Sequence, residues 1–443
     1  MSFSENRDHY SGAMKSFFIK VYGCQMNVYD SIRIRDHLTK NDYVESASME
    51  NSDIIIFYTC NIREKAVSKL LSDIGRIKNR EKKIIAVGGC VAQAEQNEFF
   101  NKCEDISIVF GPQTYHNLHT YIEEVFVDKS KKILDIKFTQ AEKFVYLPSK
   151  KIVSFSEFVS IQEGCDNFCT YCVVPYTRGR EYSRPATDIV NEVRELVENG
   201  AKEITLLGQN VNSYKSEYSF EKLLRSVANI NGVRRLRYTT SHPKDFTEEL
   251  MNVHQELKEI MPPFAHIPVQ SGSDRILKLM NRGHTAEDYI KKTERFREIC
   301  NEISFSSDFI VGFPGESEKD FYDTINLVKK VNFSLFYAFK YSRRKNTPAY
   351  NMKNQIPMIE KNKRFEILHQ NLMEQQLKFN KSCIDTSQTI LIEKLGKKEK
   401  QYIGRSPYMQ SVVIESDHNV IGEFLRVDIK NAFQNSLFGD LRQ

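Results

Sequence analysis

The stretch GCDNFCTYC, residues 164–172, places three cysteines, Cys165, Cys169 and Cys172, within eight residues. Zinc in a structural site prefers four protein ligands, usually in C-x2-4-C pairs. The spacing here is C-x3-C-x2-C, with no fourth Cys or His beside it. Three thiolates instead fit three corners of a cubane iron–sulfur cluster, which ordinarily takes four cysteines. A missing fourth ligand leaves one iron free to bind something exogenous, and Gly164 allows close approach to the loop. Buried thiols, or a zinc site completed from elsewhere in the chain, are the plainer readings of the same residues.

Working outward, the loop follows the first of six segments that read as strands. These are EFVSIQ, EITLLG, RLRYTT, FAHIPVQ, SSDFIVGF and SLFYAFKYS, with amphipathic helices between them, such as TDIVNEVRELVENG ended by Gly200. Six βα units over 156–380 predict a partial barrel, with its chemistry at the C-terminal strand ends. Those ends carry Cys165, Gln209, Asn210, Ser241, His242, Gln270, Ser271, Gly312 to Glu316 and Tyr341, a polar and glycine-rich set. Residues 16–130 alternate apolar strands (SFFIKVYG, SDIIIFYT, KKIIAVGG, ISIVFG) with polar helices, the pattern of a doubly wound parallel sheet. Residues 1–15 read as a disordered tail, and 131–155 as a connector with one edge strand. A helix opens at Pro357, and 381–443 switch to short strands that predict a small antiparallel β-barrel. The fold expected is thus multidomain α/β: a doubly wound domain, a partial (βα)6 barrel and a small barrel.

Three more cysteines, Cys24, Cys60 and Cys90, each follow a predicted strand of the first domain. In an open parallel sheet, ligands bind beyond the carboxyl ends of the strands, so distant strand ends can bring three thiols together. Three separately buried cysteines are the alternative. Nine cysteines in a chain with a polar N-terminus argue against a disulfide framework, and Cys103, Cys300 and Cys383 read as incidental. No apolar run of membrane-spanning length occurs, and no signal core precedes the first strand, so a cytoplasmic protein without a membrane partner is expected. The net charge of +5 permits nucleic-acid contact without demanding it.

C-x3-C-x-aromatic-C at the first strand end of a six-unit barrel resembles the radical S-adenosylmethionine enzymes. The resemblance implies that the open iron chelates the methionine moiety of S-adenosylmethionine, that Tyr171 borders its adenine, and that DFIVGFPGES (308–317) runs along it. LGQN stands where that family often has G-G-E. Cofactor contacts are therefore expected at Tyr171, Gln209, Asn210, Gln270, Ser271, Gly312 and Glu316, with no catalytic side chain beyond the cluster ligands. With Cys24, Cys60 and Cys90 added, residues 16–443 resemble the methylthiotransferases. YGCQMNVYDS, YTCNIREKA, LLGQNVNSY and HIPVQSGSDRILKLMNRGHT are similar to the MiaB type, and the last sixty residues to the TRAM module.

That resemblance implies two [4Fe–4S] clusters, two S-adenosylmethionine molecules per turnover, and transfer of CH3–S to C2 of an isopentenylated adenosine beside the tRNA anticodon. It further implies two clusters facing one cavity, an electron donor such as flavodoxin or ferredoxin, and a monomer; the sulfur donor stays unknown. RNA contacts are expected at Arg178, Arg184, Lys397, Lys398 and Arg405, with Tyr402 and Tyr408 as stacking rings or core residues. His242 and His266 are taken as structural. Two sibling branches, acting on threonylcarbamoyladenosine or on a ribosomal-protein aspartate, are the alternatives within the chemistry. A zinc-bound RNA-binding protein is the alternative outside it.

Overall fold

The computed structural model describes residues 14–60, 66–139, 142–145, 150 and 153–442. It falls into two compact units that divide after Lys151. In the first, β1 (Ser16–Val21), β2 (Val44–Glu45), β3 (Ile54–Thr59), β4 (Ile84–Gly89), β5 (Ile106–Phe110) and β6 (Ile133–Asp135) form one sheet in the order β2-β1-β3-β4-β5-β6. Every pairing is parallel. The Ile- and Val-rich runs of β3, β4 and β5 are buried throughout. Helices on both faces enclose them in two separate cores, as the doubly wound reading requires. The edge strand expected in the connector is β6, and it completes this sheet.

In the second unit, β7 (Ser156–Ser160) is followed by a short antiparallel pair, β8 (Gln162–Glu163) and β9 (Tyr182–Ser183), which clasps the base of the cysteine loop. β10 (Glu203–Leu207) and β11 (Arg235–Thr239) complete one parallel sheet, β11-β10-β7. β12 (Phe264–His266), β13 (Ser304–Val311) and β14 (Leu335–Lys340) form the other, β12-β13-β14. All six expected barrel strands are present. Their outward side chains pack with the intervening helices into one large core. The helix Ala186–Glu198 ends at Asn199, and Gly200 takes φ +106°, the left-handed stop its sequence signalled. The long helix Met358–Ser382 buries Leu368 and Leu372, while Met358 stays exposed.

β15 (Ser387–Leu395), β16 (Gln401–Arg405), β17 (Ser411–Glu415), β18 (Phe424–Ala432) and β19 (Ser436–Leu441) close into a barrel in the order β15-β16-β17-β19-β18. Two details correct the sequence reading. The β17–β19 pair is parallel, not antiparallel. Also, β19 (SLFGDL) carries too little apolar alternation around Gly439 to announce itself as a strand.

A buried ionic cluster ties this barrel to the larger one. Glu203, Arg235 and Arg237, at the starts of β10 and β11, are each at most 8% exposed. Glu203 lies 3.1 Å from Arg237 Nε and 3.4 Å from Arg235 Nη1. The guanidinium groups then donate to four main-chain carbonyls of the small barrel: Thr389 (2.7 Å), Arg405 (3.2 Å), Ser406 (2.9 Å) and Pro407 (3.0 Å). Among the described residues no helix is long and apolar enough to cross a membrane.

Candidate functional site

The cysteine loop is held from several sides. Gly164 takes φ +80°, and a Cβ there would lie 2.0 Å from Arg180 O, so only glycine lets the loop leave β8 against its returning strand. Cys165 N donates to Gly179 O (3.2 Å), and Cys172 N to Cys169 O (2.9 Å). Thr170 N donates to Met280 O (3.0 Å), and its hydroxyl to Leu279 O (2.8 Å), which fastens the loop to the segment after β12. Burial, and for both also the Cys169 sulfur, pushes the Cys165 thiol up to about 11 and the Cys172 thiol up to about 12. Two thiols held protonated in this way beside a third sulfur call for a cation.

Arg282 is the neighbour that the sequence reading did not single out. It is 5% exposed, its Nη1 lies 3.6 Å from Cys169 Sγ, and its Nη2 donates to Pro268 O. Among the described residues no carboxylate lies within ion-pair distance of it, and its Nε has no acceptor. Burial opposes its charge, but Tyr171 and the thiols outweigh burial and raise its pKa. A buried guanidinium with no acidic partner is costly. An anionic cluster held by the adjacent thiols would supply the missing counter-charge, so the donor set fits.

Around it, polar atoms stand buried without a partner: Gln209 Nε2, Asn210 Oδ1, Ser241 Oγ, His242 Nε2, His284 Nε2 and Tyr341 Oη. All but His284 lie at strand ends. Buried polar groups are rarely left unmatched, and so many together describe a polar ligand's bed. The two imidazoles are neutral: burial, reinforced by Arg282, lowers His242 to about 2 and His284 to about 4.

In the first unit, adjacent strands β1, β3 and β4 deliver Cys24, Cys60 and Cys90 at their carboxyl ends. Gly23 and Gly89 precede two of them with φ +120° and +91°. A Cβ on Gly23 would lie 2.1 Å from Cys60 Cβ and 3.0 Å from Cys60 Sγ; one on Gly89 would lie 2.5 Å from Thr59 O. The strand ends pack this closely because glycine stands there. Cys24 stands at the N-terminus of the 16-residue helix Gln25–Lys40. Among the described residues no three His, Cys, Asp or Glu side chains converge to the span of a single metal ion. A cubane holds its thiolates wider apart.

Three family models match the chain: the radical SAM superfamily over 159–328, the uncharacterized protein family UPF0004 over 16–111, and the TRAM domain over 381–441. A tRNA-2-methylthio-N(6)-dimethylallyladenosine synthase of Zymomonas mobilis is 46% identical over 435 residues, covering 96% of this chain and 97% of the relative. The chain belongs to the tRNA-2-methylthio-N(6)-dimethylallyladenosine synthase family. A synthase of the same name from Rickettsia canadensis is also 46% identical, covering 96% of this chain and 99% of its own. The radical S-adenosylmethionine methyltransferase TsrM of Kitasatospora setae superposes with TM-score 0.56 at 13% identity, over 85% of this chain and 81% of TsrM, a likeness of fold. The cofactors of the synthase family are [4Fe–4S] clusters and S-adenosylmethionine.

Set against this family, the expected cofactor residues divide. Tyr171 is half-buried against Ile276, Met280, Phe313 and Tyr341, and burial pushes its phenol up. Gln209 and Asn210 each keep one unmatched atom in the polar bed, while Gln209 Oε1 accepts from Gly164 N and Asn210 Nδ2 donates to Asp245 (2.8 Å). Gln270 holds φ +75°, a strained backbone for a non-glycine at a strand end. Glu316 and Ser271 have partners within the fold. Glu316 is spent on Arg364 (2.7 Å) and Gly312 N (2.7 Å), closing the turn after β13. Ser271 is wholly buried with its hydroxyl against Thr324 (3.3 Å). Gly312, at φ +70°, leaves room for Lys361, whose Cγ would be 2.4 Å from a Cβ there.

The residues expected to contact RNA divide as well. Arg178 and Arg184 are interior, paired with Glu163 (2.8 Å) and Glu192 (2.7 Å), and they order the cysteine loop from behind. Arg405 is half-buried on Glu393 (3.3 Å), whereas Lys397 and Lys398 are exposed on the β15–β16 turn. Tyr402 belongs to the small barrel's core, and Tyr408 packs edge-on against Phe379. Residues 61–64 of the YTCNIREKA stretch lie outside the described residues.

Proposed function

We propose that this chain methylthiolates C2 of N(6)-dimethylallyladenosine next to the anticodon of tRNA, with two [4Fe–4S] clusters and two S-adenosylmethionine molecules per turnover. Cys165, Cys169 and Cys172 hold one cluster, and Cys24, Cys60 and Cys90 the other. The first would supply the electron that cleaves S-adenosylmethionine into methionine and a carbon radical able to take the unreactive C2 hydrogen, and the second would hold the sulfur to be transferred. The chain's own side chains do the rest. Arg282 balances the charge beside Cys169. The polar bed of Gln209, Asn210 and His242 receives the polar end of S-adenosylmethionine, and Tyr171 walls off water near it. Neutral His242 and His284 accept hydrogen bonds without adding charge. Lys397 and Lys398 meet phosphates of the tRNA. The electron comes from a small carrier such as flavodoxin or ferredoxin.

The observation that carries this reading is a pair of three-thiol sites in a chain with full-length likeness to synthases of that name. Anaerobic loading followed by iron and sulfide counting, with mass spectrometry of tRNA, tests it. About eight irons per chain and a methylthio group on the N6-alkylated adenosine are expected. About one zinc, or methylthio groups only on threonylcarbamoyladenosine or on a ribosomal protein, would refute it.

A further inference from the structure

A second constellation lies inside the larger barrel, below the cysteine loop. On β13, Phe305, Phe309 and Val311 belong to the core under the helices. Alternation therefore turns Ser304, Ser306, Asp308 and Ile310 to the inner face. Ile310 packs against the same small core as Tyr171 of the cysteine loop. Asp308 thus stands one step along that face, roughly 7 Å from the residue that shares that core with the loop.

Register brings partners to it. Tyr337 of β14 lies opposite Asp308, Phe339 lies opposite Ile310, and His266 of β12 lies opposite Ser306. His266 Nδ1 is 3.0 Å from Ser306 Oγ, its Nε2 is 3.6 Å from Asp308 Oδ1, and its ring meets Tyr337 edge-on at 5.9 Å. The far end is closed by the small barrel, whose Ser406 and Pro407 carbonyls bind Arg237 on the inner face of β11. The charge of Arg405 reaches Tyr337 from there.

What marks this layer is that it is open. Tyr337 is 50% exposed, Phe339 42%, and the Asp308 side chain 28%. Two accessible aromatic rings stand beside a carboxylate. They suit a flat, apolar-faced ligand with a hydrogen-bond donor on its edge. Base–aromatic stacking and carboxylate–amine pairing are the usual means of holding an extruded nucleobase.

Resting on the function proposed above, we infer that this layer seats the target base: adenine against the Tyr337 ring, its N6–H donated to Asp308, and its N6-alkyl group against Phe339. His266 is a positioning residue that fixes the Asp308 carboxylate. The seat also selects. Guanine would turn its O6 acceptor to the carboxylate, and an N6 substituent that carries its own carboxylate would be repelled by Asp308.

The test uses the full chain with both clusters loaded and an anticodon stem-loop RNA bearing N6-dimethylallyladenosine. Tyr337→Leu, Tyr337→Phe, Asp308→Asn and Phe339→Ala are compared for methylthio product, 5′-deoxyadenosine formed, cluster content and S-adenosylmethionine affinity. Tyr337→Leu and Asp308→Asn should lose about tenfold or more in product. The ratio of 5′-deoxyadenosine to product should rise, with iron content and S-adenosylmethionine affinity as in wild type. Tyr337→Phe, which keeps the ring, should restore coupling, and Phe339→Ala should narrow the preference for alkylated over plain adenosine. Product and coupling unchanged in Tyr337→Leu and Asp308→Asn beside an active wild type would overturn the seat alone. A loaded wild type that never methylthiolates the RNA would overturn the functional reading and the seat with it.

Discussion

Glu203→Gln should detach the two barrels of the second unit from one another. The carboxylate is the anion between Arg235 and Arg237, and all three side chains are buried. Glutamine keeps the shape and removes the charge, so two guanidinium groups are left facing each other in a low-dielectric site. Breaking a buried ion pair from one side typically costs about 3–5 kcal/mol. The four bonds to main-chain carbonyls pull the other way, because they still satisfy the guanidinium donors. The lower part of that range, about 3 kcal/mol, is therefore expected. Urea unfolding followed by far-ultraviolet circular dichroism measures it, and limited proteolysis shows whether cleavage begins near residues 405–410.

The pH dependence supplies a second check. Burial alone would raise the Glu203 carboxyl, but Arg237 and Arg235 outweigh it and hold the pKa below its usual value. A depressed carboxyl contributes stability that is present above its unfolded pKa and lost as pH falls through the lower folded one. The gap between wild type and Glu203→Gln should therefore be full at neutral pH and shrink below about pH 4. A cost under about 1 kcal/mol, or a gap that widens in acid, would refute the assignment of this cluster as the tie.

Arg282→Met should leave the folded chain able to bind iron but shift the cluster held by Cys165, Cys169 and Cys172 to a more negative potential. About 60 mV or more is expected, with Arg282→Lys between the two, read by electron paramagnetic resonance titration. Gly23→Ala forces a Cβ onto Cys60 at a left-handed φ; iron should fall toward half of the wild-type count while the signal of the other cluster stays. Lys397→Glu with Lys398→Glu should weaken tRNA binding and flatten the log–log salt dependence by about 1 to 2, measured by filter binding at several salt concentrations.

The strands were legible because their chemistry is plain. Continuous Ile and Val runs such as IIIF (54–57) admit little but a sheet covered on both faces, and the six barrel strands each precede an amphipathic helix. The cysteine loop was legible for a different reason: the spacing of Cys165, Cys169 and Cys172 is local, so no tertiary knowledge is needed. Arg282 was hidden because its meaning is wholly tertiary; 110 residues beyond the loop, MNRGHT looks like an ordinary basic turn. The partners of Arg178 and Arg184 were hidden for a similar reason. Arginines after a site loop suggest phosphate, but Glu163 and Glu192 come from elements that only the fold brings against them. His266 and Asp308 belong to different strands, and only the parallel register of β12 and β13 makes them neighbours.

The tie between the two barrels of the second unit rests on carbonyl oxygens of Thr389, Arg405, Ser406 and Pro407, not on their side chains. Every residue type presents the same carbonyl, so the anchor is blind to what the hairpin spells out. Substitutions at exposed positions of the same barrel, such as Lys397 and Lys398, can retune what the outer surface grips while the joint beneath keeps its hold. A recognition module fixed in this way can drift toward new RNA shapes without ever being unmoored from the chemistry it serves.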